Sequence, residues 1–521
     1  MVGARIMPHP SRLKFTLVTL SLCALAASAP LAGAARDPAV PNILWIMSDD
    51  HAVNGVGAYG GRLAALNPTP NLDRLAREGV RLTNAFCTNS ICTPSRATLL
   101  TGQYSHVNGV RTLNDPLPRD RHVLPQLIKR AGYATAMIGK WHLHEEPAGF
   151  DYYSVLPGQG WYANPVFLQK DKGTWPNNEF RFRGYDNKNS EDAVADLSLA
   201  WLEQRDTSKP FFLMTHFKAP HDNFENAERY DFLYDDDTIP EPESLRRIPN
   251  HGSEATKGMG TSVGKRNTRR NMGHHMFVDA SLPADEYQRV AYQRYLKKYL
   301  RTVKGLDDNI GRLIAHLEET GELEDTVILY TSDQGFRLGE HDYIDKRWMY
   351  EESLRVPFIV RYPKTIKPNT VSDAIVNNVD FAETLLDFAG APIPASMQGR
   401  SARPVLEGRT PADWPTSSYY RYWMHMAHHD NPAHYGVRTR DHKLIFFYGL
   451  PLDAAGAQKA PTTPGWELYD LQKDPHELRN VYADPAYAAT VKRLKAELFR
   501  LKQQVGDTDE KYPELVRRVS G

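Results

Sequence analysis

The sequence predicts an α/β fold: a large, mainly parallel sheet sandwiched by helices, plus a smaller C-terminal subdomain with a short antiparallel sheet and a helix. Three observations predict it. Short continuous apolar runs alternate with stretches of helical period, the pattern of a sheet covered on both faces. Around residues 398–416 the composition shifts to Gly, Arg, Pro and Ser, and shorter strand-like pieces follow. The chain has 521 residues, enough for one large domain and a smaller one.

The elements can be taken in order. Arg5, Arg12 and Lys14 form a basic region, Phe15 to Ala29 is apolar, and Ala32-Gly33-Ala34 is a small-residue cleavage site. Residues 1–34 therefore read as a signal peptide, which implies export to the periplasm or beyond. The apolar run is short for a bilayer anchor, and no later stretch is long enough to span one. Lipidation at Cys23 is the alternative, with Leu22 standing where a small residue is wanted.

The large domain is expected over residues 40–400. Asn42 to Met47 is a buried-strand run, and Thr69-Pro70 opens a capped helix. Ala134 to Ile138 and Pro210 to Thr215 are further strands. Residues 221–283 read as a long insertion, with an acidic knot at Asp235 to Asp237 and a basic stretch from Lys257 to Arg270. Such charge runs are usually solvated surface. Leu296, Leu300, Val303, Ile310, Leu313 and Leu317 mark the apolar face of a long helix, and Thr326 to Thr331 is the next strand. The C-terminal subdomain is expected over 415–510. It holds strand-like pieces at His434 to Arg438, Lys443 to Tyr448 and Trp466 to Leu471. Its last helix is capped by Asp484, carries the stripe Leu494, Leu498, Leu501 and Val505, and ends at Gly506.

Lys plus Arg and Asp plus Glu balance at 63 each, so no global charge steers the chain to nucleic acid or an anionic membrane. Without residues 1–34, Cys87 and Cys92 are the cysteines left. A bridge between them would close a tiny loop and stabilise little. Cys92 is better read as chemically special.

Ligands of open α/β sheets bind beyond the carboxyl ends of strands. Four predicted strands end in reactive side chains: Asp49-Asp50, Asp333-Gln334, Lys140 with His142, and the segment from His216 to His221. Asp49, Asp50, Asp333 and Gln334 offer only oxygen, which suits a hard cation such as calcium or magnesium rather than zinc. An isolated Asp-Asp pair would be a turn or a helix cap. The second oxygen pair at another strand end favours a metal site. Gly55 to Gly60 spells GxGxxG, but acids separate it from the strand and no helical pattern follows, so it reads as a loop.

Pro94 and Ser95 fit a helix start just after Cys92, and Arg96 lies one turn further on the same face. A helix N-terminus beside an arginine makes an electropositive socket for sulfate or phosphate. The segment Cys92-Thr-Pro-Ser-Arg96 followed by Ala-Thr-Leu-Leu-Thr-Gly resembles the C-x-P-S-R signature of type I sulfatases, of the alkaline phosphatase-like superfamily. The resemblance runs from about residue 40 to about residue 480. It takes in Asp49-Asp50, Gly139-Lys-Trp-His142, Pro220-His221, Asp333-Gln-Gly335 and the Trp466-Glu-Leu-Tyr-Asp segment. Leu338-Gly-Glu-His341 and Asp345-Lys-Arg347 are similar to the carbohydrate-active, glucosamine-6-sulfatase-like branch.

The resemblance implies an enzyme in which Cys92 is oxidised to formylglycine by a maturation enzyme, and in which the hydrated aldehyde attacks sulfur. It assigns calcium to Asp49, Asp50, Asp333, Gln334 and the modified Cys92. It gives Arg96 and Lys140 to the formylglycine hydroxyls, and Lys140, His221 and Lys346 to the sulfate. His142 becomes the base on the second hydroxyl, and His221, with Lys346, protonates the leaving oxygen. Two departures stand out: Gln334 replaces the commoner Asn, and His144 replaces the usual Gly.

These roles agree with the chemistry. A poor alcohol leaving group needs an acid, and cations offset charge building on the sulfate oxygens. His425, His428, His429 and His434 lack the pattern of a zinc site and read as a loop over the pocket mouth, with His434 a candidate sugar contact. Trp348 and Tyr350 either stack on a sugar ring or fill the core. The expected function is hydrolysis of O-sulfate esters, on a sulfated polysaccharide or oligosaccharide. The alternatives are a phosphodiester or phosphonate monoester hydrolase of the same superfamily, or a sulfated-glycan binding protein whose cysteine is never oxidised.

Overall fold

Asn42–Ser48 is buried along its whole length and forms β1, at the centre of the large sheet. The structure, a computed structural model, describes residues 40–181, 188–247, 251–267 and 270–520; the signal-peptide reading of residues 1–34 and lipidation at Cys23 lie outside them. The other strands of this sheet are β2 (Val80–Leu82), β3 (Ala134–Lys140), β4 (Tyr152–Leu156), β5 (Phe167–Gln169), β6 (Glu179–Phe180), β7 (Phe211–His216), β8 (Thr326–Ser332), β9 (Phe358–Arg361) and β10 (Thr370–Ser372).

The ten strands lie in the order β10-β2-β9-β8-β1-β7-β3-β4-β5-β6. The five from β8 to β4 run parallel. The antiparallel β9 joins them to β2 on one side, and β5 and β6 add an antiparallel edge on the other.

Successive side chains of β1 take opposite faces, as a strand must. Ile43, Trp45 and Met47 pack with helices α2 (Cys92–Thr101), α3 (Val123–Arg130) and α6 (Phe381–Phe388). Leu44 and Ile46 pack with α1 (Pro70–Glu78), α4 (Ser190–Gln204) and α5 (Ala284–Glu319). This is the expected sandwich. The glycine-rich stretch after β1 holds short 3₁₀ turns at Val53–Gly55 and Gly57–Tyr59, so no helix rises from it.

A second, four-stranded antiparallel sheet follows, in chain order: β11 (Ser417–Tyr422), β12 (His434–Thr439), β13 (His442–Phe447) and β14 (Gly465–Asp470). Helix α7 (Ala488–Val505) covers one face through Leu494, Leu498 and Leu501, and Gly506 ends it in a left-handed turn. The other face shares a core with Phe86, Ile91, Trp348 and Tyr350 of the large domain. The composition shift at 398–416 thus marks where the second sheet begins, while the described residues form one packed unit. Beyond α7 the chain is fastened by a buried network: Arg421 Nη1 donates to Asp507 Oδ1 (2.7 Å) and Asp509 Oδ1 (3.2 Å), and Lys502 Nζ pairs with Asp509 at 3.0 Å. No helix among the described residues is long and apolar enough to cross a membrane.

Candidate active site

Register brings the reactive residues together. Ser48 pairs with Ser332, Met47 with His216, and Gly139 also with His216. β1, β8, β7 and β3 therefore end at one level. Lys140 is the last residue of β3, and the Asp49-Asp50 and Asp333-Gln334 pairs follow β1 and β8 directly. At the end of β3, Gly139 has φ +102° and a Cβ there would lie 1.9 Å from the His216 carbonyl oxygen, so only glycine fits.

Two adjacent aspartates on a strand would face apart. Here Asp50 turns left-handed (φ 67°), and carboxylate oxygens of Asp49, Asp50 and Asp333 come within 4.8 Å of one another. The turn is held by the Asp50 N–H donating to Asp333 Oδ1 (3.3 Å), the Asp333 N–H to the Ser48 carbonyl (3.3 Å), and the Tyr299 hydroxyl to the Asp50 carbonyl (3.0 Å).

α2 begins at Cys92, and Cys92 Sγ lies 3.4 Å from Asp49 Oδ1 and 3.6 Å from Gln334 Nε2. Cys87 and Cys92 are both free thiols, so no bridge joins them. Arg96, one turn on, donates Nε to Asp333 Oδ2 (3.0 Å), Nη2 to Asp49 Oδ2 (3.1 Å) and Nη1 to the Lys140 carbonyl (2.7 Å). One guanidinium thereby ties three strand ends together. Ser95 donates its hydroxyl to the Asp333 carbonyl and accepts from Asn378 Nδ2 at 3.0 Å.

The donor set fits a hard cation. Asp49, Asp50 and Asp333 are fully buried, and Gln334 Oε1 is buried without a hydrogen-bond partner. Burial, with repulsion from Asp49, pushes the Asp50 and Asp333 carboxyls up to about 7. Burial would raise Asp49 too, but Lys140, His221, Arg96 and Lys346 hold it well below the carboxylate range. An all-oxygen cluster of this kind is suited to calcium.

Cations and imidazoles ring the cluster. Lys140 Nζ pairs with Asp49 and donates to Gln159 Oε1 at 2.5 Å. Lys346 Nζ lies 2.6 Å from Asp50 Oδ2, and His221 Nε2 3.7 Å from the same oxygen. Burial and then Lys140 lower the proton affinity of both His142 and His221, which favours neutral rings. His142 adopts φ 55°, and its Nδ1 is buried without a partner. Burial and Asp49 push the Cys92 thiol well above its usual range, so the unmodified sulfur is a poor nucleophile.

All the sequence-predicted metal and catalytic candidates thus meet here: Asp49, Asp50, Cys92, Asp333 and Gln334, with Arg96, Lys140, His142, His221 and Lys346. His434 does not. It is 0% exposed, with ring centroids 4.7 Å from Phe447 and 5.5 Å from Tyr420, and its Nδ1 bonds the Pro432 carbonyl at 2.8 Å. The strand alternation that makes β12 regular also turns His434 into the core between the two sheets. Trp348 and Tyr350 are core as well.

Other residues were given no site role from the sequence. Asp222 Oδ1 lies 2.5 Å from His221 Nδ1. Asp345 sits between Lys346 (3.6 Å), Arg347 Nε (2.9 Å) and His429 Nε2 (3.6 Å). Adjacency to His221 and Lys346 was the available signal for both. His429 had none beyond its histidine-rich loop. His144 adopts φ 68°, a conformation natural to glycine, and its Nε2 lies 2.7 Å from the Leu113 carbonyl oxygen.

A family model described as Sulfatase matches residues 41–391, and one described as N-sulphoglucosamine sulphohydrolase, C-terminal, matches residues 339–504. An N-acetylglucosamine-6-O-sulfatase of Bacteroides thetaiotaomicron is 39% identical over 551 aligned positions, covering 98% of this chain and 93% of that protein. A solved structure of a protein with its substrate D-glucosamine-2-N,6-O-disulfate is similar, with TM-score 0.80 and 38% identity over 90% of this chain and 99% of that one. A phosphonate monoester hydrolase from Silicibacter pomeroyi has the same fold, with TM-score 0.68 and 24% identity over 89% and 95% of the two chains.

Proposed function

This chain belongs to the sulfatase family and is a sulfuric ester hydrolase, and from that premise we propose that it removes an O-sulfate from a sulfated saccharide, at O6 of an N-acetylglucosamine-type sugar. The observation that carries the reading is Cys92 Sγ at 3.4 Å from Asp49 Oδ1, at a helix start ringed by Arg96, Lys140, Lys346 and two histidines. The 39% identity to a 6-O-sulfatase along nearly the whole chain supports the choice of sugar position.

In this reading a maturation enzyme oxidises Cys92 to formylglycine, whose hydrate supplies the attacking hydroxyl. Asp49, Asp50, Asp333 and Gln334, with the modified Cys92, would hold calcium, which when bound lowers the pKa of that hydroxyl and polarises a sulfate oxygen. Arg96 and Lys140 orient the hydroxyls. Lys140, His221 and Lys346 bind the sulfate and offset the charge that builds on its oxygens. His142, kept neutral by burial and by Lys140, can take a proton from the second hydroxyl. His221 delivers a proton from Nε2 to the leaving alcohol, and Asp222 on Nδ1 stabilises its charged form. Export to the periplasm or beyond belongs to the same proposal, supported by the basic, apolar and small-residue pattern of residues 1–34.

The test pairs chemistry with mass. Protein made with a maturation enzyme should release sulfate from 6-O-sulfated N-acetylglucosamine, and its Cys92 peptide should carry the aldehyde. The Cys92→Ala variant should fold and lose all turnover. Full activity of that variant, or a clear preference for phosphodiesters over sulfate esters, overturns the reading.

A further inference from the structure

The insertion after β7 builds a cavity of about 530 Å3 beside the site, within the size range of small-molecule pockets, ~300–1,000 Å3. Its lining includes neither Cys92, Lys140 nor Lys346, so the reacting sulfate lies outside it. Two lining residues connect it to the machinery. Asp222 holds His221 Nδ1 at 2.5 Å, and His429 Nε2 lies 3.6 Å from Asp345, the neighbour of Lys346. The cavity therefore adjoins the residue that would protonate the leaving oxygen, through the Asp222 that holds its Nδ1.

Its walls suit a sugar ring. Phe224, Met272 and Met276 are buried and apolar, while Arg270 and Lys298 supply donors. At its edge stands Phe277, which is 85% exposed and has φ 56°. A bulky residue in the left-handed region is strained, and an exposed phenyl ring gains nothing from the core. Both are accounted for if the ring is a platform for a ligand.

We propose that this cavity binds the saccharide unit next to the sulfated one, with Phe277 stacked on its apolar face. The inference rests on the saccharide sulfatase reading above. It makes the insertion a specificity element, and it makes a disaccharide a better substrate than the isolated sulfated sugar.

The experiment compares kcat/KM for 6-O-sulfated N-acetylglucosamine and for a disaccharide carrying that unit, in wild type and in Phe277→Ala. Wild type should prefer the disaccharide by roughly tenfold, the scale of burying one aromatic face. Phe277→Ala should erase most of that preference through KM, with the monosaccharide rate unchanged. Equal loss on both substrates, or no preference in wild type, overturns the subsite. A wild type that cleaves neither saccharide refutes the function on which it rests. Because Phe277 is exposed, the variant removes no core packing.

Discussion

His221 stands between two carboxylates, one at each ring nitrogen. Its Nε2 faces the Asp50 cluster, and its Nδ1 is held by Asp222 at 2.5 Å. Burial and the flanking lysines lower its proton affinity, while Asp222 raises it. Replacing Asp222 with Asn removes the group that favours the imidazolium. The limb of the pH profile that needs protonated His221 should then move to lower pH, and kcat should fall by about 10- to 100-fold. A kcat–pH profile of Asp222→Asn checks this; an unmoved limb would leave Asp222 a purely structural role. At this scale Asp49, Asp50, Asp333, Gln334, Lys140, His142 and His221 were legible because each lies at or beyond a strand end, whereas Cys92 was read from a helix start and Lys346 from the family resemblance alone. The pairing of Asp345 with His429 was not legible, since they meet only after 83 intervening residues fold back. His434 failed for a related reason: residue type and strand period do not say which face a second sheet will cover.

Among the elements, the fully buried parallel strands were legible as apolar runs, and β1, β3, β7 and β8 lie where the sequence places them. β2, β5, β6 and β10 were not read, because two or three residues carry no period. The register between β3 and β7 depends on a single side-chain-free position. Gly139→Ala would drive a methyl group into the His216 carbonyl. Relief requires shifting β3 and, with it, Lys140. We expect a loss of about 2–4 kcal/mol in stability and activity lost beyond what unfolding explains. Chemical denaturation and turnover by the folded fraction measure the two effects separately; a stable and active variant would show that β3 tolerates the displacement.

For the whole molecule, the second sheet and the C-terminal helix are tied down by the Arg421, Asp507, Asp509 and Lys502 network. Burial would raise the Asp507 carboxyl, but Arg421 and Lys502 hold it well below its usual range. A carboxylate depressed on folding contributes stability above its unfolded pKa, near 4, and that contribution is lost as pH falls below it. Asp507→Asn should therefore cost about 3–5 kcal/mol at neutral pH, with a smaller gap from wild type in acid. Thermal melts of both proteins at several pH values read this out, and a gap independent of pH would refute it. Cys92 carries a consequence of another kind. The residue is 1% exposed, and its sulfur lies under the ends of β1 and β8. If Cys92 is converted as proposed, a catalyst that must grip that atom would meet it only on a newly made, still open polypeptide. Conversion would then race closure of the sheet, and a molecule that closed first would keep an inert thiol.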